Sequence, residues 1–541
     1  MVDPDLNYFG EKSAAGFTDR AAGPVLIFAL PATFALIAGL DRAVYAVFDC
    51  DLYYIYHALR FNQGLPQTVF DHTGYLYMLV LSWWTSAFHT LDLVSYATVD
   101  AIRGAKSTAD ALAELVFAGR IFSIAVTSLY AILFAWAARV ISRDSLLSLM
   151  LGILVAASPG ISLHAIVLRP ELISGLGVMA GFLAVAVAQR AVGYRQYMLL
   201  GLGAAAVYLG HMSKSQAIIP ALLIPAFGLA SAPRSQDFVS LYARNFGVSA
   251  KTWLFPLFAL FVFLPVVAGH IYGVQLVLNQ PEVPLYLWIV AGWIVFAVIA
   301  YNYLYRKSGL AAVYALSSIC AGLALAYSIH GFHFSLDNIG WSTAFIENMK
   351  RFTPLAGTDS SLGDILSKAL EGGFYTVVTF FSENLLWGAG RALVFGAAMI
   401  LAIIHFRRGH RLGALVILGL CVGSLLVAIA FSLRGARTEY DVYFYFMPAL
   451  AILIGYADLQ RSDKALLRTP LLILLIVVSF MHVVGSHRAL IGTPYTTVME
   501  SREYFCHWQL ENAPFFADSV YVGDKCWGYY SPNAAGDGSA R

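Results

Sequence analysis

Charge is what this sequence has least of: Asp, Glu, Lys and Arg make up 12% of its 541 residues, where a soluble domain carries roughly a quarter. A surface facing water cannot be covered at that rate. The 59% hydrophobic share is more than water-shielded cores absorb, so a string of soluble domains is excluded and lipid is the solvent. The formal net charge of +2 comes without a basic run or an acidic tail, which removes nucleic acid as a partner. Cysteine is scarce as well. The five residues include no C-x-x-C pair. Cys320 and Cys421 fall in apolar runs as small hydrophobes. Cys506 and Cys526 lie in the polar C-terminal tail and could bridge if that tail faces an oxidising compartment. There is no P-loop, no G-x-G-x-x-G after a strand and no G-x-S-x-G, which removes an ATP-driven pump, a dinucleotide enzyme and a serine-hydrolase elbow. No tandem period and no matched pair of Gly/Pro-broken spans is visible, which counts against a transporter of inverted repeats.

What the chain has instead is long apolar runs. A helix needs about 20 mostly apolar residues to cross a bilayer, and such runs lie near 21–40, 120–138, 146–165, 172–189, 196–212 and 216–232. Others follow near 253–271, 284–304, 310–329, 387–406, 412–432, 440–457 and 469–486. The expected fold is therefore all-α: a polytopic integral membrane protein of about thirteen transmembrane helices. The first run lacks a small-residue cleavage pattern and reads as a retained span. With the N-terminus in the cytoplasm, Arg139 and Arg143, Arg190 and Arg195, Arg306 and Lys307, Arg407, Arg408 and Arg411, and Arg461, Lys464 and Arg468 all fall in cytoplasmic loops, as the positive-inside rule requires. The C-terminus is then outside. Residues 1–487 form the membrane domain, and 488–541 an outer tail or small cap. Two long segments, 41–119 and 330–386, interrupt the weave on the outer face. The first contains an aromatic stretch, Tyr75 to Phe88, expected as a helix lying in the interface with its Trp and Tyr rings at headgroup level.

Polar residues on that outer face are candidates for chemistry. Asp49 and Asp51, in F-D-C-D-L-Y-Y after the first span, can hold a divalent cation, Mg or Mn, with hard oxygens, or one can take a proton from an attacking hydroxyl. An isolated D-x-D is also a common solvated loop start, but a carboxylate pair at a membrane interface is expensive unless it serves something. His72, in D-H-T-G, is a substrate ligand or a residue near a helix cap. Arg169 and Glu171 occupy one very short outer turn and Lys214 another. Basic residues are rare in such turns, and these two are placed to meet a phosphate. Alternatively Arg169 pairs with Glu171 and Lys214 snorkels to headgroups. Arg437 lies in a third charged outer turn, followed by the aromatic span start at Tyr443. His330 and His333 in the long outer loop are candidate substrate contacts; as H-x-x-H without a third ligand nearby they do not form a metal motif.

Taken in order, these segments resemble the GT-C glycosyltransferases, in particular the protein O-mannosyltransferases and the enzymes that add aminoarabinose or galacturonate to lipid A. F-D-C-D-L-Y-Y-I-Y-H-A-L is similar to the acidic pair in the first outer loop of that superfamily. D-H-T-G-Y-L-Y-M-L echoes its H-P-P-L-Y-Y segment without the two prolines. V-L-R-P-E-L, H-M-S-K-S-Q and Y-F-Y-F-M-P-A-L resemble later turns and a span start. The resemblance covers roughly the first 230 residues by motif and the rest by topology. It implies a sugar donor on a polyprenyl phosphate, an active site on the periplasmic side of the plasma (inner) membrane, and a lipid, glycan or protein acceptor. By the same resemblance Asp49 is the catalytic base with Asp51 beside it, Lys214, Arg169 and Arg437 hold the donor phosphate, and transfer inverts the anomeric centre. His72, Glu171, Tyr53, Tyr443, His330 and His333 are then substrate contacts. A transporter or flippase for an amphipathic lipid is the competing class; it would carry charges along a mid-membrane path, whereas here they cluster on one face.

Overall fold

The computed structural model describes residues 17–38, 51–65, 74–106, 108–191, 194–224, 227, 321–322, 324–325, 362–382, 384–432 and 438–492. The expected spans near 253–271, 284–304 and 310–329, and the tail with Cys506 and Cys526, lie outside them apart from isolated residues. The described chain is helical, and no strand occurs among the described residues. Among the described residues six helices are long and apolar enough to cross a membrane.

The first half begins with α1 (Phe17–Ala38), α2 (Asp51–Asn62), α3 (Tyr75–Thr90), α4 (Val99–Arg103) and α5 (Thr108–Ser142). It continues with α6 (Ser145–Ala156), α7 (Pro159–His164), α8 (Pro170–Ala188), α9 (Tyr194–Ser213), a 3₁₀ turn at Ser215–Ala217 and the short α10 (Ile218–Ala221). The second half has α11 (Leu362–Ser382), α12 (Leu385–Arg407), α13 (Arg411–Ser432), a 3₁₀ turn at Thr438–Tyr443, α14 (Phe446–Ala457) and α15 (Arg461–Gly492). Helices α1, α5, α6, α8 and α9 pack on one another, α12 to α15 form a second group, and α5–α14, α6–α15 and the 3₁₀ turn against α7 and α8 join the two.

Local chemistry sets the ends. Asp144 caps α6, its carboxylate accepting from the amides of Leu146 and Leu147 at 3.1 Å each, and Asn384 caps α12 in the same way. The run 146–165, expected as one span, is instead broken into α6 and α7. Pro159 opens α7 and holds Ser158 in an extended conformation, φ −58° and ψ 145°, because its ring disfavours helical geometry in the residue before it. Run 21–40 likewise yields an apolar stretch of only Gly23–Leu36, and α9 covers 196–212 without being among the six long apolar helices. The aromatic stretch forms α3, whose buried side faces α2, α5, α8 and α9, with the Trp84 indole donating to the Ala118 carbonyl at 3.0 Å.

The described loops rich in Lys and Arg meet at one end of this bundle. Arg190, just past α8, pairs with Asp458 at 3.1 Å. Arg468 reaches Asp144 at 2.6 Å, Tyr456 donates to the same carboxylate at 3.4 Å, and Arg408 pairs with Asp463. Burial alone would raise the Asp144 pKa, but the Arg468 hydrogen bond and charge with the two capping amides outweigh it and hold it below its ordinary value. Helix α8 runs from this end for about 28 Å at 1.5 Å per residue to its start at Arg169–Pro170, where the outer turns gather.

Glycine makes the α8–α9 approach possible. A Cβ built on Gly177 would lie 2.4 Å from the Ala206 carbonyl oxygen, and one on Gly210 would lie 2.8 Å from that of Ser174. Both obstacles are backbone, so no side chain can yield. Gly177→Val should therefore cost about 1–3 kcal/mol and lower the melting temperature of the detergent-purified protein. Gly396→Val, at an exposed glycine with nothing within 4 Å, should leave it unchanged. Equal melting of the two variants would contradict the packing described.

Candidate functional site

The end of the bundle away from the basic loops is built from four of the segments singled out in sequence. Arg169 is extended, φ −143° and ψ 133°, and Pro170 starts α8 directly after it. Its fixed φ suits the first helical position, where no amide is needed. Glu171 therefore sits in the first turn of α8, while Lys214 follows the last turn of α9. The close glycine packing brings them together: Lys214 Nζ lies 3.0 Å from Glu171 Oε1. Lys214 is held by its backbone as well, its amide donating to Gly210 O at 3.1 Å and its carbonyl accepting from Ser174 Oγ at 3.3 Å. Arg169, Glu171 and Lys214 are all buried, at 8%, 4% and 8% exposure.

The first outer segment lies against this cluster. A Cβ on Gly74 would be 3.1 Å from the Tyr54 ring and 3.5 Å from Pro170 Cβ, so the start of α3, the α2 helix that opens at Asp51 and the start of α8 share one point. Helix α2 presents buried aromatic rings there: Tyr53 and Tyr54 meet edge to face at 5.2 Å, Tyr54 and Tyr77 at 5.3 Å, and Tyr53 and His57 at 4.6 Å. The 3₁₀ turn Thr438–Tyr443 closes the other side. Its Val442 carbonyl accepts from Tyr130 at 2.7 Å and lies 2.7 Å from where a Cβ of Gly175 would be, one helical turn beyond Glu171. Tyr443 itself is turned into the core, stacked on Phe431 at 5.0 Å.

Arg169, Glu171 and Lys214 thus converge, while Tyr53 borders them through its neighbour Tyr54 and Tyr443 through its neighbour Val442. Asp51 opens α2, but its side chain lies outside the described set. Asp49, His72, Arg437, His330 and His333 lie outside the described residues altogether. Among the described residues no three His, Cys, Asp or Glu side chains gather to hold a metal ion.

Several buried polar residues belong to this end that the sequence reading passed over. Arg120, fully enclosed on α5, lies one turn before Ser123, whose hydroxyl donates to Val167 O at 2.9 Å, and next to Gly119, which abuts Leu168. His164 donates from Nδ1 to Gly160 O at 2.6 Å. Arg391 of α12 pairs with Asp441, donates to Phe380 O at 2.6 Å and lies 4.3 Å over the Phe380 ring. A charged residue inside an apolar run was the available signal for Arg120 and Arg391; nothing in the sequence marks which of them faces protein.

No family model and no curated protein matches this sequence. Solved structures do. The apo oligosaccharyltransferase of Archaeoglobus fulgidus superposes at a TM-score of 0.48 and 10% identity, over 95% of this chain and 60% of that one. The same archaeal enzyme, AglB, with an inhibitory peptide and a dolichol-phosphate gives 0.47 and 12% over 94% and 60%, and its complex with Zn and sulfate 0.44 and 14% over 86% and 53%. These solved neighbours are oligosaccharyltransferases. The chain spans 53% to 60% of the length of these neighbours.

Two measurements check the site geometry. Breaking a buried ion pair from one side strands the other charge and costs about 3–5 kcal/mol, whereas replacing both partners by apolar groups costs far less. Glu171→Leu and Lys214→Met should each lower thermal stability more than the double variant does. Additive losses would mean that the pair is not coupled. His57, enclosed among rings, has its pKa pushed from 6.5 down to about 3, by burial first and Arg60 second. Folded His57 stays neutral while the unfolded chain protonates below 6.5, so its contribution to stability, intact above that pH, falls as pH drops towards 3, by about 1.4 kcal/mol per unit. His57→Phe should flatten the decline in melting temperature between pH 6.5 and 5, and an unaltered slope would contradict the burial.

Proposed function

We propose that this chain is an inverting GT-C-type glycosyltransferase that moves a sugar from a polyprenyl-phosphate donor to a lipid, glycan or protein acceptor at the outer, periplasmic face of the plasma (inner) membrane. In this reading about thirteen spans build the membrane domain, the N-terminus is cytoplasmic, and residues 488–541 cap the outer side. The observation that carries it is the burial of Arg169, Glu171 and Lys214 together, at the bundle end away from the basic loops and against the segment that opens at Asp51.

The chemistry suits a lipid-linked donor, whose phosphate is already anchored at the interface. Attack of an acceptor hydroxyl on the anomeric carbon forms the new C–O bond as the bond from that carbon to the phosphate oxygen breaks, and the lipid phosphate leaves with the electron pair. Lys214 and Arg169 stabilise the charge that grows on that oxygen, and Arg437 adds a third cation. Preformed charges in a site shielded from water are worth far more than the same charges in solution. Glu171 holds the Lys214 ammonium in place, so the cation does not reorganise during transfer. Asp49 takes the proton from the acceptor hydroxyl, with Asp51 beside it. His72, Tyr53, His330 and His333 line the sugar and acceptor, and Tyr443, stacked on Phe431, supports the turn beside them instead of lining the site. Asp49 and Asp51 are also the residues that would hold a divalent cation, Mg or Mn, whose part would be to offset phosphate charge.

The deciding assay uses the purified full chain, radiolabelled polyprenyl-phosphate sugars and a crude lipid acceptor fraction. The native chain should transfer label, and Asp49→Asn and Lys214→Ala should each reduce transfer by roughly 100-fold or more. Transfer that survives Asp49→Asn would assign the base elsewhere. Label that crosses a vesicle membrane without being transferred would replace this reading with a lipid transporter.

A further inference from the structure

Close to the Lys214–Glu171 pair lie polar atoms that have no partner among the described residues. Glu171 uses Oε1 for Lys214, and its enclosed Oε2 accepts no hydrogen bond among the described residues. Gln216 is 2% exposed, yet neither its Oε1 nor its Nε2 has a partner there. The Ser213 hydroxyl is enclosed and equally without one. The backbone keeps these groups close to one another. Ser213, Lys214 and Gln216 fall within four consecutive residues, the 3₁₀ turn that carries Gln216 packs on α8 and α9, and Ser174, one turn beyond Glu171, holds the Lys214 carbonyl.

This bundle can satisfy buried polar groups with its own backbone: Ser123 donates to Val167 O, Thr127 to Ser123 O and Ser424 to Phe444 O. Elsewhere such atoms are scattered one or two to a residue, as at the ring nitrogens of His57 and the hydroxyls of Ser479 and Ser486. Beside Lys214 there are four such atoms: Glu171 Oε2, Gln216 Oε1, Gln216 Nε2 and Ser213 Oγ. Buried hydrogen-bonding capacity that is left unmade costs free energy, and such a concentration calls for a partner beyond the described residues.

We infer that these groups receive the sugar of the donor, with Gln216 as the specificity-determining contact, and that the sugar is neutral with vicinal hydroxyls; this rests on the lipid-phosphate reading above. The donor and acceptor pattern selects that class. Glu171 Oε2 and Gln216 Oε1 only accept, Gln216 Nε2 only donates, and Ser213 does both. Adjacent hydroxyls, each donating and accepting, complement the whole set. A uronate carboxylate would set acceptor against acceptor at Glu171 Oε2 and add a like charge. Lys214, between Ser213 and Gln216 in sequence, takes the phosphate, so the two contacts divide the head group between them.

The test measures binding of the full chain in nanodiscs to undecaprenyl phosphate and to undecaprenyl phosphates carrying glucose, mannose, arabinose or galacturonate. For the native chain at least one neutral sugar should improve affinity over the bare lipid phosphate by about tenfold or more, and galacturonate should not. Gln216→Leu should bind the bare lipid phosphate as the native chain does and lose the gain from sugar. Free of ligand, it should melt at the native temperature or above, because an apolar side chain replaces an amide that has no partner among the described residues. Gln216→Asn, which keeps the amide but withdraws it by one methylene, should also lose the gain. A sugar gain retained in either variant, a larger gain with galacturonate, or no gain in the native chain overturns the inference and leaves the lipid-phosphate reading standing. Lower melting or misfolding of Gln216→Leu makes Gln216 a packing residue and overturns it too. Failure of the native chain to bind even bare undecaprenyl phosphate removes both.

Discussion

The arrangement at the outer end depends on how closely α8 and α9 approach. Two glycines, Gly177 and Gly210, let the backbone of one helix lie against the backbone of the other, with no side chain between them. In lipid there is no hydrophobic gain from pairing two apolar helices, so close packing and interhelical hydrogen bonds have to hold them. Both are present here, the second as the Ser174 bond to the Lys214 carbonyl. The contact fixes the depth at which the last turn of α9 ends, and with it the position of the lysine that follows.

From that contact the rest of the site is arranged in order. Lys214 meets Glu171 because α8 begins just there, and α8 begins there because Pro170 suits the first turn and holds Arg169 extended. Pro170 also touches the start of α3 across Gly74, which keeps α2 and its aromatic rings beside the charged cluster. The 3₁₀ turn before α14 is set against Gly175 by the Tyr130 hydrogen bond. Each junction uses a residue without a side chain, or with a fixed backbone, where a larger or freer one would separate the elements. At the other end exposed and half-buried ion pairs tie the basic loops together; pairs of that kind add little stability individually but hold the loop ends in a common register.

Much of this was legible in the residues. The low charge, the long apolar runs and the one-sided Lys and Arg described a helical membrane protein, because insertion into lipid is governed by local composition over about 20 residues. Arg169, Glu171 and Lys214 were visible as charges in turns where charges are rare. The break at Pro159 was less so. A hydropathy window averages over the proline, whereas the backbone at Ser158 does not. Arg120 and Arg391 were visible as letters but not as members of a site, since a charge inside an apolar run carries no mark of what lies across from it.

By itself the sequence determined the solvent of this protein, the helical class of its described elements and the short list of polar residues at its outer turns. All of these are sums over neighbouring residues. Only the tertiary structure decided which of those residues meet: that Glu171 takes Lys214 as its partner, that Tyr54 and Pro170 share Gly74, that Tyr443 turns to Phe431, and that Gln216 is enclosed without a partner among the described residues. Such pairings join residues 12 to 96 positions apart, 443 − 431 at the short end and 170 − 74 at the long. They follow from how closely two helices can approach, which depends on both surfaces at once and is written in neither alone.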